Sequence, residues 1–345
     1  MSFSRLEADD FVVSSDSISA TLWSNGSPNL TTFFTSSTQA GGSSGNFYLN
    51  IFSGSDSSTN NIEFAIAYGN SDGSGSLVYN PAVDGKSPTS TTYGQYQNLV
   101  IGDENTDFIF GAVTSTEFFA LPIERARYKE SIFLGSLGLE LTGPSGSITI
   151  TDDSNYVTAV QFCEAGRVFQ LISGSQGTKT ATPLTSEGYS LNSGSYGWLL
   201  PDIGTIILNP LALASNTAGG GIGFLYSGSI SGSTTPVVSP MASLYQSISG
   251  SAASSFFLNS EETITSDFIF VRPRSSEYNY SENPSFISGS TGEVIYSDFI
   301  NNPQVYMTTV GLYNDTNELL AVAKLSRPLL KDFTKEALIR VKLDF

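Results

Sequence analysis

The sequence predicts a mainly β fold, made of antiparallel sandwich or barrel-like domains with few short helices. Three observations carry this expectation. Of 345 residues only 14% are charged while 12% are aromatic, against about 25% charged in an average domain, and Ser, Thr, Gly and Asn fill the gap. Short runs of β-branched and aromatic residues recur at about 8 to 12-residue spacing between turn-forming residues, the pattern of sandwich or barrel strands. At 339–345, Ile339, Val341, Leu343 and Phe345 alternate with Arg340, Lys342 and Asp344, the period of two expected where one sheet face packs and the other is wet.

Along the first sixty residues, short apolar words (Phe11-Val12-Val13, Phe33-Phe34, Phe47 to Phe52) sit between Ser-Gly runs and read as short strands with flexible joints. Ile62 to Tyr68 reads as a strand, 69–75 as a loop and Leu77-Val78-Tyr79 as a return strand. A Pro/Ser/Thr-rich connector follows to Tyr93, and Gln95 to Ile101 fits either helix or strand. Asp107 to Val113 and Glu117 to Glu124 read as strands, with Arg125 to Glu130 a helical turn or strand end. Ile132 to Leu141, Ser147 to Thr151, Val157 to Cys163 and Arg167 to Ile172 continue as strands between Gly-Pro-Ser-Gly and Asp-Asp-Ser-Asn turns.

From Tyr196 to Asn209 the chain is apolar enough for a strand buried on both faces, and Leu211 to Ala214 adds a helical turn. Val237 to Ile248 is the best helix candidate, because Met241, Leu244, Tyr245 and Ile248 recur at helical spacing before Gly250. Ile264 to Val271 is a strand, and 272–286 a polar, aromatic loop. Val305 to Tyr313 and Leu319 to Leu325 flank Asn314-Asp315-Thr316-Asn317, which reads as a hairpin. Arg327-Pro328 is expected to end its second strand, because proline brings no amide hydrogen to the ladder. The expected organisation is an acidic β-rich domain over 1–120, a central β domain over 121–214, an exposed Gly/Ser-rich insertion with a short helix over 215–260, and a β module over 261–345.

Charge is distributed unevenly. The total is −17, yet residues 1–120 hold only Arg5 and Lys86 against twelve acids, while 321–345 holds six bases against three acids. Nucleic acid is not an expected partner of the acidic body, because phosphate binding relies on Lys and Arg clusters. The basic end fits an acidic neighbouring subunit. The single cysteine, Cys163, forbids an intrachain disulfide and is expected to pack in the core. The stretch MSFSRLEADDF lacks the zones of a signal peptide, and no window approaches about 18 uninterrupted apolar residues, so a soluble product without a membrane span is expected.

Reactive chemistry has little to stand on. Histidine is absent, which removes histidine-dependent triads, histidine-ligated zinc and the usual general base. Gly219-Gly220-Gly221-Ile222-Gly223 lacks the Gly-Lys-Ser/Thr ending of a phosphate loop. Asp72 and Asp152-Asp153 lack the spaced ligands of a calcium loop. The expectation is therefore no catalytic residue, no cofactor and no metal.

Four stretches carry a family resemblance. The run from Tyr306 to Phe333, YMTTVGLYNDTNELLAVAKLSRPLLKDF, resembles a hairpin of structural proteins of tailed bacteriophages, including tail-fibre and baseplate-associated chains. Segments 64–81 with 93–105, 122–131, and 196–210 resemble virion proteins of contractile-tailed phages of the cyanophage type. The resemblance implies a virion component of the tail, baseplate or neck, made in the host cytoplasm, that acts by subunit contact and not catalysis. Its partners would be other virion proteins and further copies of itself. The runner-up is a receptor-binding or adhesion module recognising host surface glycan. Because Arg and aromatic residues are enriched at interface cores, the expected contact residues are Arg125, Arg127 and Lys129, then Tyr278, Tyr280 and Phe286, and the basic set Lys324, Arg327, Lys331, Arg340 and Lys342.

Overall fold

The computed structural model describes residues 3–35, 48–56, 59–75, 82, 87–180, 193–226, 240–250, 255–281 and 283–344. Of the described residues 44% lie in strands and 14% in helices, so the protein is mainly β, as expected. It divides into two compact units, Ile18–Glu262 on one side and Met1–Ser17 with Thr263–Phe345 on the other. That division departs from the four expected segments. The boundary expected at 120 falls inside a strand, and the described residues of 215–260 contribute to the core of the larger unit.

In chain order the first strands are β1 (Phe11–Thr21), β2 (Asn29–Leu30), β3 (Tyr48–Phe52), β4 (Ile62–Asn70), β5 (Phe108–Phe110), β6 (Val113–Ser115) and β7 (Glu117–Pro122). There follow β8 (Ser131–Ile132), β9 (Gly138–Gly143), β10 (Gly146–Asp152), β11 (Gln161–Cys163), β12 (Gly166–Ser175), β13 (Thr178–Lys179), β14 (Gly197–Leu200) and β15 (Thr205–Leu208). The last are β16 (Phe256–Phe257), β17 (Asn259–Val271), β18 (Val305–Tyr313), β19 (Leu319–Lys331) and β20 (Ile339–Asp344). Among the described residues there are four short helices, α1 (Pro88–Tyr96), α2 (Pro210–Ala214), α3 (Pro240–Ser249) and α4 (Asp298–Asn301). The expected return strand Leu77-Val78-Tyr79 lies outside the described residues.

The larger unit is organised by one curled antiparallel sheet of twelve strands, ordered β2-β16-β9-β10-β12-β14-β15-β7-β4-β3, with β11 and β13 also paired to β12. Its central strands are buried on both faces, and the period of two shows how. Along β7, Phe119 and Leu121 enter one apolar cluster while Phe118 and Ala120 enter another. β15 repeats this, with Ile206 and Leu208 on the first side and Ile207 on the second. The first face is covered by α2, α3 and Phe224; the second by Tyr93 of α1, Val100 and the Phe108 and Phe110 rings of β5. An amphipathic covering on each side is what lets a strand carry unbroken apolar sequence.

Several local expectations meet a different outcome. Tyr196 to Asn209 forms the hairpin β14-β15 instead of one strand, because Pro201 to Gly204 turns the chain. Ile132 to Leu141 breaks into β8 and β9 around a turn in which the amide and hydroxyl of Ser136 both donate to Phe133 O. Of Val157 to Cys163 only the last three residues form a strand, and Val157, Val160 and Phe162 are exposed. Cys163 is half-buried at that edge. Gln95 to Ile101 is helical: α1 passes into a π turn over Gln97–Ile101, closed by Gly102 in the left-handed region (φ 77°). The described residues of 215–260 are not an exposed insertion, because Ile222, Phe224, Met241, Leu244, Ile248, Phe256 and Leu258 are all core.

In the smaller unit, β17 pairs antiparallel with β20 from Ser266↔Asp344 to Val271↔Ile339. The alternation read from the sequence is observed: Ile339 and Val341 are buried and Leu343 partly so, while Arg340, Lys342 and Asp344 face solvent. β18 and β19 form a separate two-stranded sheet. Its partly buried Met307, Val310, Leu312, Ala323 and Leu325 pack on a small core of Ile269, Ile339 and Val341. β19 runs through Pro328 to Lys331, past its expected end. The register jumps from Met307↔Leu329 to Thr309↔Lys324, so Pro328 falls in a bulge where the ladder asks nothing of its missing amide.

Candidate contact surface

The hairpin β18-β19 owes its shape to its turn. Asn314 Oδ1 accepts from the Thr316 amide (3.1 Å), the Thr316 hydroxyl (2.7 Å) and the Glu318 amide (2.8 Å). Asn317 takes the left-handed conformation (φ 64°) that asparagine tolerates at little cost. A second irregularity, between Leu312↔Ala321 and Tyr313↔Leu319, leaves Leu320 as the extra residue. Opposed residues share a face, so Thr309, Gly311, Tyr313, Leu319, Val322 and Lys324 form one outer face. Val322 is 59% exposed and Leu319 52%.

Gly311 makes that face continuous, because an added Cβ there would meet the Tyr313 ring at 2.9 Å and Leu319 Cδ1 at 3.3 Å. Phe3 extends the patch edge-on against Tyr313 at 5.0 Å. Leu320 and Tyr306 add further exposed apolar surface on the same hairpin. Contiguous exposed apolar residues with a polar border mark contact sites in folded proteins, and both outer edges of this two-stranded sheet are unpaired among the described residues.

The expected contact residues distribute unequally around this surface. Lys324 lies on this face and Arg327 is exposed in the adjoining bulge, and no ion pair among the described residues involves either. Arg340 and Lys342 are exposed on β20, lying over the Phe268 ring at 5.5 and 5.9 Å, with Lys342 also 2.8 Å from Asp344. Tyr280 is exposed. Tyr278 is half-buried at positive φ (52°), and Phe286 is half-buried against Phe299.

Lys331 is no contact residue. It is fully buried, and its ammonium donates to Ser275 O (2.8 Å), Asn279 Oδ1 (2.7 Å) and Asp332 O (3.1 Å). Its work is to pin the loop after β17. The sequence reading missed Tyr306, Tyr313, Leu319, Leu320 and Val322. Their signal was present, since apolar residues occupy both parities of β18 and β19, more than one packed face can use.

In the larger unit the basic cluster is mostly engaged with itself. Arg125 donates to Tyr128 O (2.6 Å) and Lys129 O (2.7 Å) and lies 4.6 Å over the Tyr128 ring. Lys129 pairs with Glu262, and Arg127 is half-buried with an Nε that has no hydrogen-bond partner. The same unit carries an open cleft of about 390 Å³ between the π turn, β11, β12 and Trp198. Glu164 and Cys163 are its ionisable groups, and burial pushes the thiol up, so Cys163 is not poised as a nucleophile at neutral pH. Asp152, weighed above for calcium, accepts the Gly135 and Ser154 amides. Among the described residues no group of three or more Cys, Asp or Glu is placed to hold a metal, and no helix is long and apolar enough to cross a membrane.

Compared with known proteins, no family model, no curated protein and no solved structure matches the chain.

Proposed function

We propose that this chain is a structural component of a tailed-phage virion, in its tail, baseplate or neck, and that it works by contact between subunits. The observation that carries the reading is the outer face of β18-β19, where Tyr313, Leu319 and Val322 lie exposed with Lys324 and Arg327, neither of which has an ion-pair partner among the described residues. Aromatic and aliphatic anchors bordered by basic residues are the composition of an interface core and its rim. The unpaired hairpin edges offer main-chain donors and acceptors that a neighbour completes by strand addition. The phage assignment rests on the sequence resemblance of the same hairpin.

The test is made on purified particles of a phage that encodes the chain. Wild-type chain should be present at fixed copy number by quantitative mass spectrometry. The Leu319→Glu, Val322→Glu variant should fold, keep its β circular-dichroism spectrum and be lost from particles. Absence of the wild-type chain from particles, or full incorporation of the variant, would defeat the proposal.

A further inference from the structure

A chain of net charge −17 resists packing against copies of itself. The C-terminal stretch 321–345 is where that resistance is lowest, since it holds six of the fifteen bases, and two of them, Lys324 and Arg327, are exposed on the hairpin. The same unit presents a second exposed apolar patch of opposite character, Glu293-Val294-Ile295-Tyr296-Ser297-Asp298-Phe299-Ile300. Ile300 is 68% exposed and Tyr296 56%, with Val294 and Ile295 exposed beside them. Neither Glu293 nor Asp298 belongs to an ion pair among the described residues.

This segment is held in shape by its own contacts. Ile287 bridges Val294, the Ser288 amide donates to Glu293 O (2.8 Å), the Ile295 amide donates to Phe286 O (2.9 Å), and Phe299 packs on Phe286 at 5.3 Å. A preorganised loop loses little freedom on docking. We propose that the outer face of β18-β19 receives the segment 293–300 of a second copy of this chain, so that copies associate through the smaller unit. The proposal rests on the contact reading above and names its partner.

Charge sets the orientation. Lys324 and Arg327 lie at the bulged end of the hairpin, whereas Asp315 and Glu318 lie at its turn. Glu293 and Asp298 therefore face Lys324 and Arg327, because the reverse placement sets acid against acid. If both copies exchange segments the product is a two-fold dimer; if each segment meets a different neighbour, the contact propagates into a ring or chain.

Mass photometry and sedimentation of the full chain over a concentration series test this. Wild type should move from monomer to dimer or higher species. Lys324→Glu with Arg327→Glu should weaken association about tenfold, the effect of about 1.4 kcal/mol from two reversed charges, and Glu293→Lys with Asp298→Lys should do the same. An equimolar mixture of the two doubly substituted chains, each with wild-type circular dichroism, should recover association. A chain that stays monomeric, substitutions without effect, or a mixture that fails to recover would overturn the proposal. A monomeric chain that still needs Leu319 and Val322 to enter particles would defeat self-association alone and leave the contact reading standing.

Discussion

Lys331 shows how a single residue can carry a unit's geometry while looking, in sequence, like surface charge. The ammonium reaches three oxygens with no carboxylate among them, and two of those acceptors lie more than fifty residues away in the chain. No pattern around position 331 announces them. Lys331→Met should cost about 1 to 3 kcal/mol, because it leaves Asn279 and two carbonyls unmatched in the interior. Urea unfolding should show the loss, and hydrogen exchange at 275–281 should accelerate; unchanged exchange would mean that the loop is held by something else.

Asp153 makes a pH-dependent prediction at the same scale. Burial first, and then the neighbouring Asp152 carboxylate, push its pKa up to about 6, against the lowering effect of the Gln170 amide that it accepts at 3.0 Å. A carboxyl whose folded value lies above its unfolded one, about 3.9, holds its proton better when folded. Its contribution to stability is thus complete below about pH 4 and is lost as pH rises through about 6. Asp153→Asn keeps the acceptor and removes the titration. Its stability relative to wild type should rise by about 1 kcal/mol between pH 4 and 7, a value discounted for solvent screening of a partly exposed group. A flat difference across that range would refute the assignment.

Among elements, the hairpin β18-β19 was legible because its signals are local. Apolar runs flank an Asn-Asp-Thr-Asn turn, and the turn closes through Asn314 as those residue types suggest. Its bulge was not legible, since nothing in Arg327-Pro328 distinguishes a strand end from a residue placed where the register shifts. Pro328→Ala should therefore change stability by less than about 1 kcal/mol, through the unfolded chain alone. A larger loss would mean that the ring itself packs. The helix α3 was legible by its spacing, but not its destination: Gly and Ser on both sides suggested solvent, whereas Met241, Leu244 and Ile248 close one face of the large sheet. The reverse error occurred at Val157 to Cys163, where an apolar run implied burial and the chain leaves Phe162 74% exposed.

For the whole molecule, composition decided the class and left the division undecided. Aromatic and β-branched residues at short spacing require sheets, but which strand pairs with which depends on contacts far apart in sequence, and β7 joins β4 to β15 across the boundary that composition suggested. β20 pairs with β17 inside the smaller unit, so deleting 304–345 would remove a core strand together with the proposed contact surface; point substitutions on the outer face separate the two. The most direct measurement is a cryo-electron microscopy map of the intact particle in which the proposal places this chain, a tailed-phage virion. The account predicts the outer face of β18-β19, with Tyr313, Leu319 and Val322, covered by a neighbouring chain. That face turned to solvent in every copy would contradict it.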